Sequence, residues 1–365
     1  MREVRKKISP IRVLFIGESW QGSCARSLKE ALARHPEICL DEVNEDLYIP
    51  RPRARILRAI NRLLRSLYSC QLRQQIIARA ETFRPDVIAV YKGSSTTADW
   101  IGQWQALATL RVNIYPDFSP HAYGDEHKEA VGSYDLVIST KPFHPTLWKA
   151  VYGYANQCVC VPQGYDPHLH LQQTPVRDAK FDVTLVATWR PEYGSLMKRF
   201  GELPGTAKLS VAIAGNGWAE HRADYPPTWV YGGERQGRSY VEWLRQGKVA
   251  IAPVTREVVI GGRRQPGDED STRTYELAAA HCFFIHRRTE YVRSLYDEDT
   301  EVPMFDTPEE LAEKVLYYLD RPKLRHEMAT AAHARAVPAY SLDARAGEIV
   351  SNLAEALERR KDASV

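Results

Sequence analysis

The sequence predicts an α/β protein built from two parallel-sheet domains. Short apolar runs recur along it, each ending in small or polar residues, and helix-like segments separate them. A chain of 365 residues is too long for one ordinary core and suits two. A segment rich in Pro and His, near residues 165 to 180, divides the halves.

In the N-terminal half, Arg12 to Ser19 (RVLFIGES) reads as a buried parallel strand ending at Gly17, and a helix follows from about Ser23 to His35. Asp86 to Gly93, Val112 to Asp117 and Leu136 to Thr140 repeat the pattern, and Val159 to Val161 closes the set. Strands alternating with helices imply a parallel sheet covered on both faces. The loops after the strands carry the polar residues: Gly17-Glu18-Ser19-Trp20, Lys92-Gly93-Ser94-Ser95 and Asp117-Phe118-Ser119-Pro120-His121. Asp117 and His121 are candidates for a general base, or His121 for a bond to a transferred sugar, with an ordinary loop ion pair or surface histidine as the alternative.

The C-terminal half opens with Phe181 to Thr188, a strand carrying Trp189-Arg190 at its carboxyl end, where open α/β sheets place ligands. Leu209 to Ala214 is a second strand running into Gly215-Asn216-Gly217, and Lys248 to Pro253 is a third. An acidic loop, Pro266 to Asp270, leads into Ser271-Thr272 as helix caps and then a helix from Arg273 to Ala280. Such a start points free N–H groups and the positive end of a dipole outward, which suits a diphosphate. Arg273 adds a cation where the dipole is already positive, which makes sense if an anion is held there. Beyond it, Cys282 to Ile285 reads as a strand, Thr289 to Tyr296 as a small helix and Val302 to Phe305 as an extended piece. Thr307-Pro308-Glu309-Glu310 caps a helix with Leu311, Val315, Leu316 and Leu319 on one face.

Composition narrows the function classes. Hydrophobic residues make up 44% and charged ones 26%, and no apolar run approaches the ~20 residues of a membrane span. The basic start, Met1 to Lys7, lacks an apolar signal core, so a cytoplasmic protein is expected. A net charge of +3 argues against a general nucleic-acid binder. Cysteines 24, 39, 70, 158, 160 and 282 show no metal spacing. Between Arg51 and Arg79 lie eight arginines and no acid, interleaved with Ile56, Leu57, Ile60, Leu63, Leu64 and Leu67. That pattern suits either a helix packed on the sheet or peripheral contact with an anionic membrane.

The order of loop, Arg273-x-x-Glu276 helix, apolar strand, Glu290-Tyr291 helix and Phe305-Asp306-Thr307-Pro308-Glu309-Glu310-Leu311 resembles the C-terminal domain of glycosyltransferases of the GT-B architecture. It is similar in particular to the group of the CgeB spore-maturation proteins. Pro162-Gln163-Gly164-Tyr165-Asp166-Pro167 looks like the P-x-G-x-D-P segment that such enzymes carry before the interdomain linker, so the likeness spans about residues 160 to 345. It implies two Rossmann-like domains facing across a cleft: 1–165 for the acceptor, 175–335 for the nucleotide sugar, and 336–365 as a helix returning to the first. It implies that Glu276 binds the ribose and contributes little to the core. Asp268, eight residues earlier, stands where retaining relatives have a glutamate, with Glu269 and Asp270 as competitors for its role.

Arg190 and Arg273 then hold the diphosphate with Thr272, Thr274 and the turn of Gly215 and Gly217. Relatives place a Lys five residues after such an Arg; here Ser195 stands, with Lys198 and Arg199 nearby and Arg263 or Arg264 as substitutes. The expected activity is transfer from a nucleotide-diphosphate sugar to a glycan, lipid-linked or small-molecule acceptor, retaining, with no cofactor and no obligatory metal. A non-catalytic binding relative and a nucleotide-sugar epimerase are the alternatives.

Overall fold

The computed structural model describes residues 9–50, 64–121, 123–260 and 263–362. The chain divides into two compact units, Met1–Pro162 with Asp343–Val365, and Gln163–Leu342.

The first unit is a parallel sheet of β1 Ile11–Gly17, β2 Ile38–Asn44, β3 Val87–Tyr91, β4 Leu110–Tyr115, β5 Leu136–Ser139 and β6 Gln157–Cys160. The spatial order is β2-β1-β3-β4-β5-β6, so the direction of winding reverses between β1 and β3. Val87, Ile88 and Val90 are fully buried because helices cover both faces. β2 escapes the sequence reading because it is an edge strand. Only Ile38 and Val43 are buried in ICLDEVN, a spacing that fits neither a strand nor a helix.

Its helices are α1 Cys24–Arg34, α2 Arg65–Phe83, α3 Ala98–Gln103, α4 Asp125–Gly132 and α5 His144–Ala150. The Ser23 hydroxyl caps α1, accepting from the Ala25 and Arg26 N–H groups at 3.1 and 3.4 Å. Residues 51–63 of the basic stretch, with Ile56, Leu57, Ile60 and Leu63, lie outside the described residues. In the remainder Leu67 is exposed, and α2 buries Leu72, Ile76 and Ala80, one turn apart on one face.

The second unit holds β7 Phe181–Val186, β8 Val211–Ala214, β9 Val230–Tyr231, β10 Gly247–Ala252, an antiparallel hairpin of β11 Glu257–Ile260 and β12 Arg263–Pro266, then β13 Phe284–Arg287 and β14 Met304–Phe305. Around them lie α6 Pro191–Glu202, α7 Arg238–Leu244, α8 Thr272–Ala279, α9 Glu290–Leu295, α10 Pro308–Leu319 and α11 Pro322–Ala336. The order β14-β13-β10-β7-β8-β9 is that of a Rossmann sheet, with its switch point between β7 and β10.

Alternate residues serve opposite faces. Val183, Leu185, Val211, Ile213, Val249 and Ile251 pack with Met197 and Phe200 of α6 and Leu311 and Val315 of α10. Ala212, Ala214, Ala250 and Ala252 face Leu277 and Ala278 of α8. The large residues contribute about 1.5–3 kcal/mol each on burial, and the alanines let α8 approach closely. The last helix, α12 Leu342–Asp362, buries Ala346, Ile349, Val350 and Leu353, and Asp343 pairs with Arg34 at 2.5 Å. Among the described residues no helix is long and apolar enough to cross a membrane.

Candidate functional site

In the second unit the carboxyl ends of β7 and β10 define the switch point, and the chain leaves them as Ala187-Thr188-Trp189-Arg190 and Pro253-Val254-Thr255-Arg256. Arg190 is the extended N-cap of α6, and its Nη1 donates to Thr255 Oγ1 at 3.4 Å. The buried Thr255 hydroxyl donates on to the Tyr193 hydroxyl at 3.3 Å. The Thr255 carbonyl accepts from the Asp268 N–H at 2.6 Å, which anchors the acidic loop on the same strand end. Gly267 permits this approach, since a Cβ there would lie 2.0 Å from the Thr255 carbonyl oxygen.

Arg273 reaches the same place from the first turn of α8, which holds no acid. Its Nη2 donates to the Pro253 carbonyl at 3.0 Å, and its Nε is buried without a hydrogen-bond partner. A guanidinium held in this way has donor capacity left and a net charge to neutralise. Two further arginines, not singled out from sequence, stand on this edge. Arg256 follows β10, and its N–H donates to Glu192 Oε1 at 3.4 Å. Arg287 ends β13; burial holds its guanidinium below the usual range, and its Nε also lacks a partner. Burial raises the Glu192 carboxyl, with Arg256, Arg287 and Arg190 pulling the other way. The available signal was position alone, an arginine at or just past a strand end.

Glu276 is buried rather than free at the helix surface. Tyr240 of α7 donates its hydroxyl to Oε2 at 2.5 Å, and His170 Nε2 lies 3.6 Å from Oε1. His170 is oriented in turn by the Asp166 N–H, which donates to its Nδ1 at 3.0 Å. The carboxylate therefore has a structural part that the sequence reading did not assign, and the Pro-x-Gly-x-Asp-Pro segment supplies its neighbour.

Thr272 opens α8 half-buried. Thr274, expected to offer its hydroxyl to a ligand, is fully buried: its Oγ1 accepts from the Ser271 N–H at 3.0 Å and lies 2.8 Å from His286 Nε2. Asp270 is also fully buried and accepts from the Tyr275 hydroxyl at 2.6 Å, while Asp268 and Glu269 are half-buried. Gly215 has φ +131°, and a Cβ there would lie 1.9 Å from the Ala187 carbonyl oxygen. Gly217 has φ +87°, with a Cβ position 3.0 Å from that of Trp189. Both glycines thus pack the loop that carries Trp189 and Arg190. Of the substitutes for the missing Lys, Arg264 pairs with Glu257 at 3.2 Å on the hairpin, Arg263 lies in β12, Lys198 is exposed, and Arg199 pairs with Glu309 at 2.7 Å.

In the first unit, Lys92 leaves β3 with φ +63°, a strained conformation for a non-glycine residue, next to the β1/β3 switch point. Its Nζ lies 3.5 Å from Asp117 Oδ2 and 4.6 Å from the Tyr123 ring centre. The Tyr123 hydroxyl donates to Asp117 Oδ2 at 2.8 Å. His127, not singled out from sequence, is buried against Tyr123 at 5.2 Å between ring centres. His121 stacks edge-on against Tyr152 at 5.4 Å rather than joining Asp117, and burial, then Lys128, lowers its pKa.

Residues 195–351 match the glycosyl transferase-like family. Sucrose-phosphate synthase from Thermosynechococcus elongatus is similar in structure, with a TM-score of 0.66 at 14% identity over 97% of this chain and 100% of that one. HepE from Anabaena, solved in complex with UDP, has a TM-score of 0.63 at 12% identity over 94% and 100%. Trehalose 6-phosphate synthase from Burkholderia multivorans has a TM-score of 0.60 at 13% identity over 98% and 99%. No curated protein matches the chain in sequence. The fold is GT-B.

Proposed function

Taking a glycosyl transferase-like domain on a GT-B fold as the premise, we propose that the chain moves a sugar from a nucleotide-diphosphate sugar to an acceptor hydroxyl. The transfer proceeds with retention and without an obligatory metal. Arg273 carries this reading: its buried Nε has no partner, and it sits in the first turn of a helix whose dipole already disfavours a cation. A diphosphate beside Pro253 completes its hydrogen bonding, with Arg190, the Thr272 hydroxyl and the first N–H groups of α8 as further donors. Glu276 accepts from the ribose hydroxyls, since a carboxylate takes more hydrogen bonds than the one from Tyr240. Asp268 accepts from the sugar. A uridine donor is favoured because HepE was solved with UDP and with UDP-glucose.

The bond from the anomeric carbon to the leaving phosphate breaks, and its electron pair stays on that phosphate oxygen. The acceptor oxygen bonds to the same face of the anomeric carbon, and its proton passes to the leaving phosphate. Charge on the phosphate grows toward the transition state, so fixed cations aimed there lower the barrier more than they strengthen donor binding. Acceptor binding is assigned to the first unit, around Lys92, Asp117 and Tyr123. His121, kept neutral by burial, is its hydrogen-bonding or basic group. The acceptor is a glycan, lipid-linked or small-molecule hydroxyl, handled in the cytoplasm, with the basic stretch 51–79 as a peripheral membrane contact.

The test is a panel of nucleotide sugars incubated with and without candidate acceptors, following release of nucleoside diphosphate. Turnover that requires acceptor is expected. Donor conversion without acceptor assigns an epimerase instead, and nucleotide binding with no turnover assigns a non-catalytic relative, the reading favoured by Ser195 in place of a Lys.

A further inference from the structure

Arg287, the last residue of β13, carries a charge that no neighbour pairs with. The register that sets Ala252 of β10 opposite His286 puts Arg287 level with Pro253, about one strand spacing (~4.8 Å) away. Pro253 is the residue whose carbonyl accepts from Arg273 Nη2. Arg287 is half-buried over the ring of Phe305, its partner in β14, at 5.5 Å to the centroid. Among the described residues its side chain makes no hydrogen bond and no ion pair, and its Nε is shut off from solvent as well. The carboxylates that act on it from farther off are Asp306, Glu192 and Glu310, and each is engaged elsewhere. Asp306 pairs with Arg288 and, at 3.5 Å, with Arg256. Glu310 pairs with Arg288 at 2.7 Å and with Lys314 at 3.1 Å, and Glu192 accepts from the Arg256 N–H at 3.4 Å. A guanidinium has five N–H donors, and one that is half-buried with none of them satisfied is unfavourable until an anion arrives.

Its place along the site says which anion. Glu276, assigned to the ribose, lies toward Tyr240 of α7. Asp268, assigned to the sugar, belongs to the acidic loop, and that loop is fastened to the residues just after β13, where Thr289 donates its hydroxyl to the Glu269 carbonyl at 2.7 Å. Arg287 therefore stands at the sugar end of the donor rather than the ribose end. Like Arg190, it lies close enough to act on Glu192.

We infer that Arg287 binds the phosphate bonded to the sugar, the terminal phosphate of the nucleoside diphosphate, alongside Arg190 and Arg273. This assignment rests on the nucleotide-sugar reading above and adds a residue to it. The Nη groups donate to that phosphate, while Nε stays against the protein. A cation with no partner to give up is already in place for the charge that gathers on the phosphate oxygen as its bond to the anomeric carbon breaks.

The measurement is calorimetric titration of UDP, ADP, GDP and TDP, each beside its monophosphate, into wild type and Arg287→Gln, read on the base that binds tightest. The variant is expected to bind the diphosphate at least tenfold more weakly and the monophosphate within twofold of wild type. Without ligand its melting temperature is expected to be no lower than that of wild type, because no hydrogen bond or ion pair is removed. A merely structural arginine would lower the melting temperature and weaken both nucleotides alike. Equal diphosphate affinity in the two proteins, or equal losses for diphosphate and monophosphate, overturns the assignment of Arg287. Wild type that binds none of the nucleotides overturns the nucleotide-sugar reading itself, and this role with it.

Discussion

Tyr240 donates its hydroxyl to Glu276 Oε2 at 2.5 Å, and His170 stands 3.6 Å from the other carboxylate oxygen. The carboxylate is thus held in place by α7 and by the segment after Asp166 before any ligand arrives, so little conformational entropy is lost on binding.

Glu276→Gln keeps the shape and removes the charge. It is expected to weaken UDP binding about tenfold or more, since hydrogen bonds to a charged acceptor contribute ~1.5–3 kcal/mol. Glu276→Ala also removes the hydrogen bond that the carboxylate accepts from the Tyr240 hydroxyl, at a cost in stability of about 1–3 kcal/mol. Thermal shift with and without UDP separates the two effects. Unchanged UDP affinity in Glu276→Gln sinks the ribose assignment.

Arg190→Gln and Arg273→Gln are expected to lower turnover at saturating donor by roughly a hundredfold each, with a smaller rise in the Michaelis constant, because charge on the leaving phosphate peaks in the transition state. EDTA is expected to leave wild-type activity mostly intact. Full turnover in both variants, or activity abolished by EDTA, would move charge neutralisation to a metal.

Gly215→Ala places a methyl 1.9 Å from the Ala187 carbonyl oxygen at φ +131°. The loop bearing Trp189 and Arg190 must shift, at an expected cost on the order of 3–5 kcal/mol in chemical denaturation. A loss of nucleotide affinity with stability intact would instead make this glycine a ligand contact.

His286 is fully buried, and burial lowers its pKa to about 4, helped by the charge of Arg273 and opposed by its bond to the Arg287 carbonyl. Unfolded, the ring titrates near 6.5, so between these values the unfolded chain binds more protons. Stability is complete above about pH 6.5 and falls as the pH drops toward 4, by up to about 3 kcal/mol from this group. Denaturation of wild type and His286→Gln across that range should show a shallower acid slope in the variant; equal slopes refute the assignment.

The strands with continuous apolar runs were legible because residues buried on both faces leave little freedom of composition. Val87–Tyr91 and Gly247–Ala252 are of this kind. The strand expected at Cys282–Ile285 lies instead at Phe284–Arg287, because Cys282 and Phe283 are buried in the turn after α8 and are as apolar as the strand itself. The Glu257–Pro266 hairpin was illegible: EVVI and RRQP pair with each other outside the main sheets and carry no core signal.

The sequence alone determined the alternation of strand and helix, the two-unit size and the helix starts at Ser23, Thr289 and Thr307, each a matter of local chemistry or of composition. Only the tertiary structure decided which polar groups stay available. Thr274 and Asp270 read like ligand contacts and are used inside the unit, whereas Arg273 and Arg287 retain buried donors. Local sequence sets what a side chain can do, but whether its hydrogen-bonding capacity is already spent depends on partners up to dozens of residues away, such as Tyr240 for Glu276.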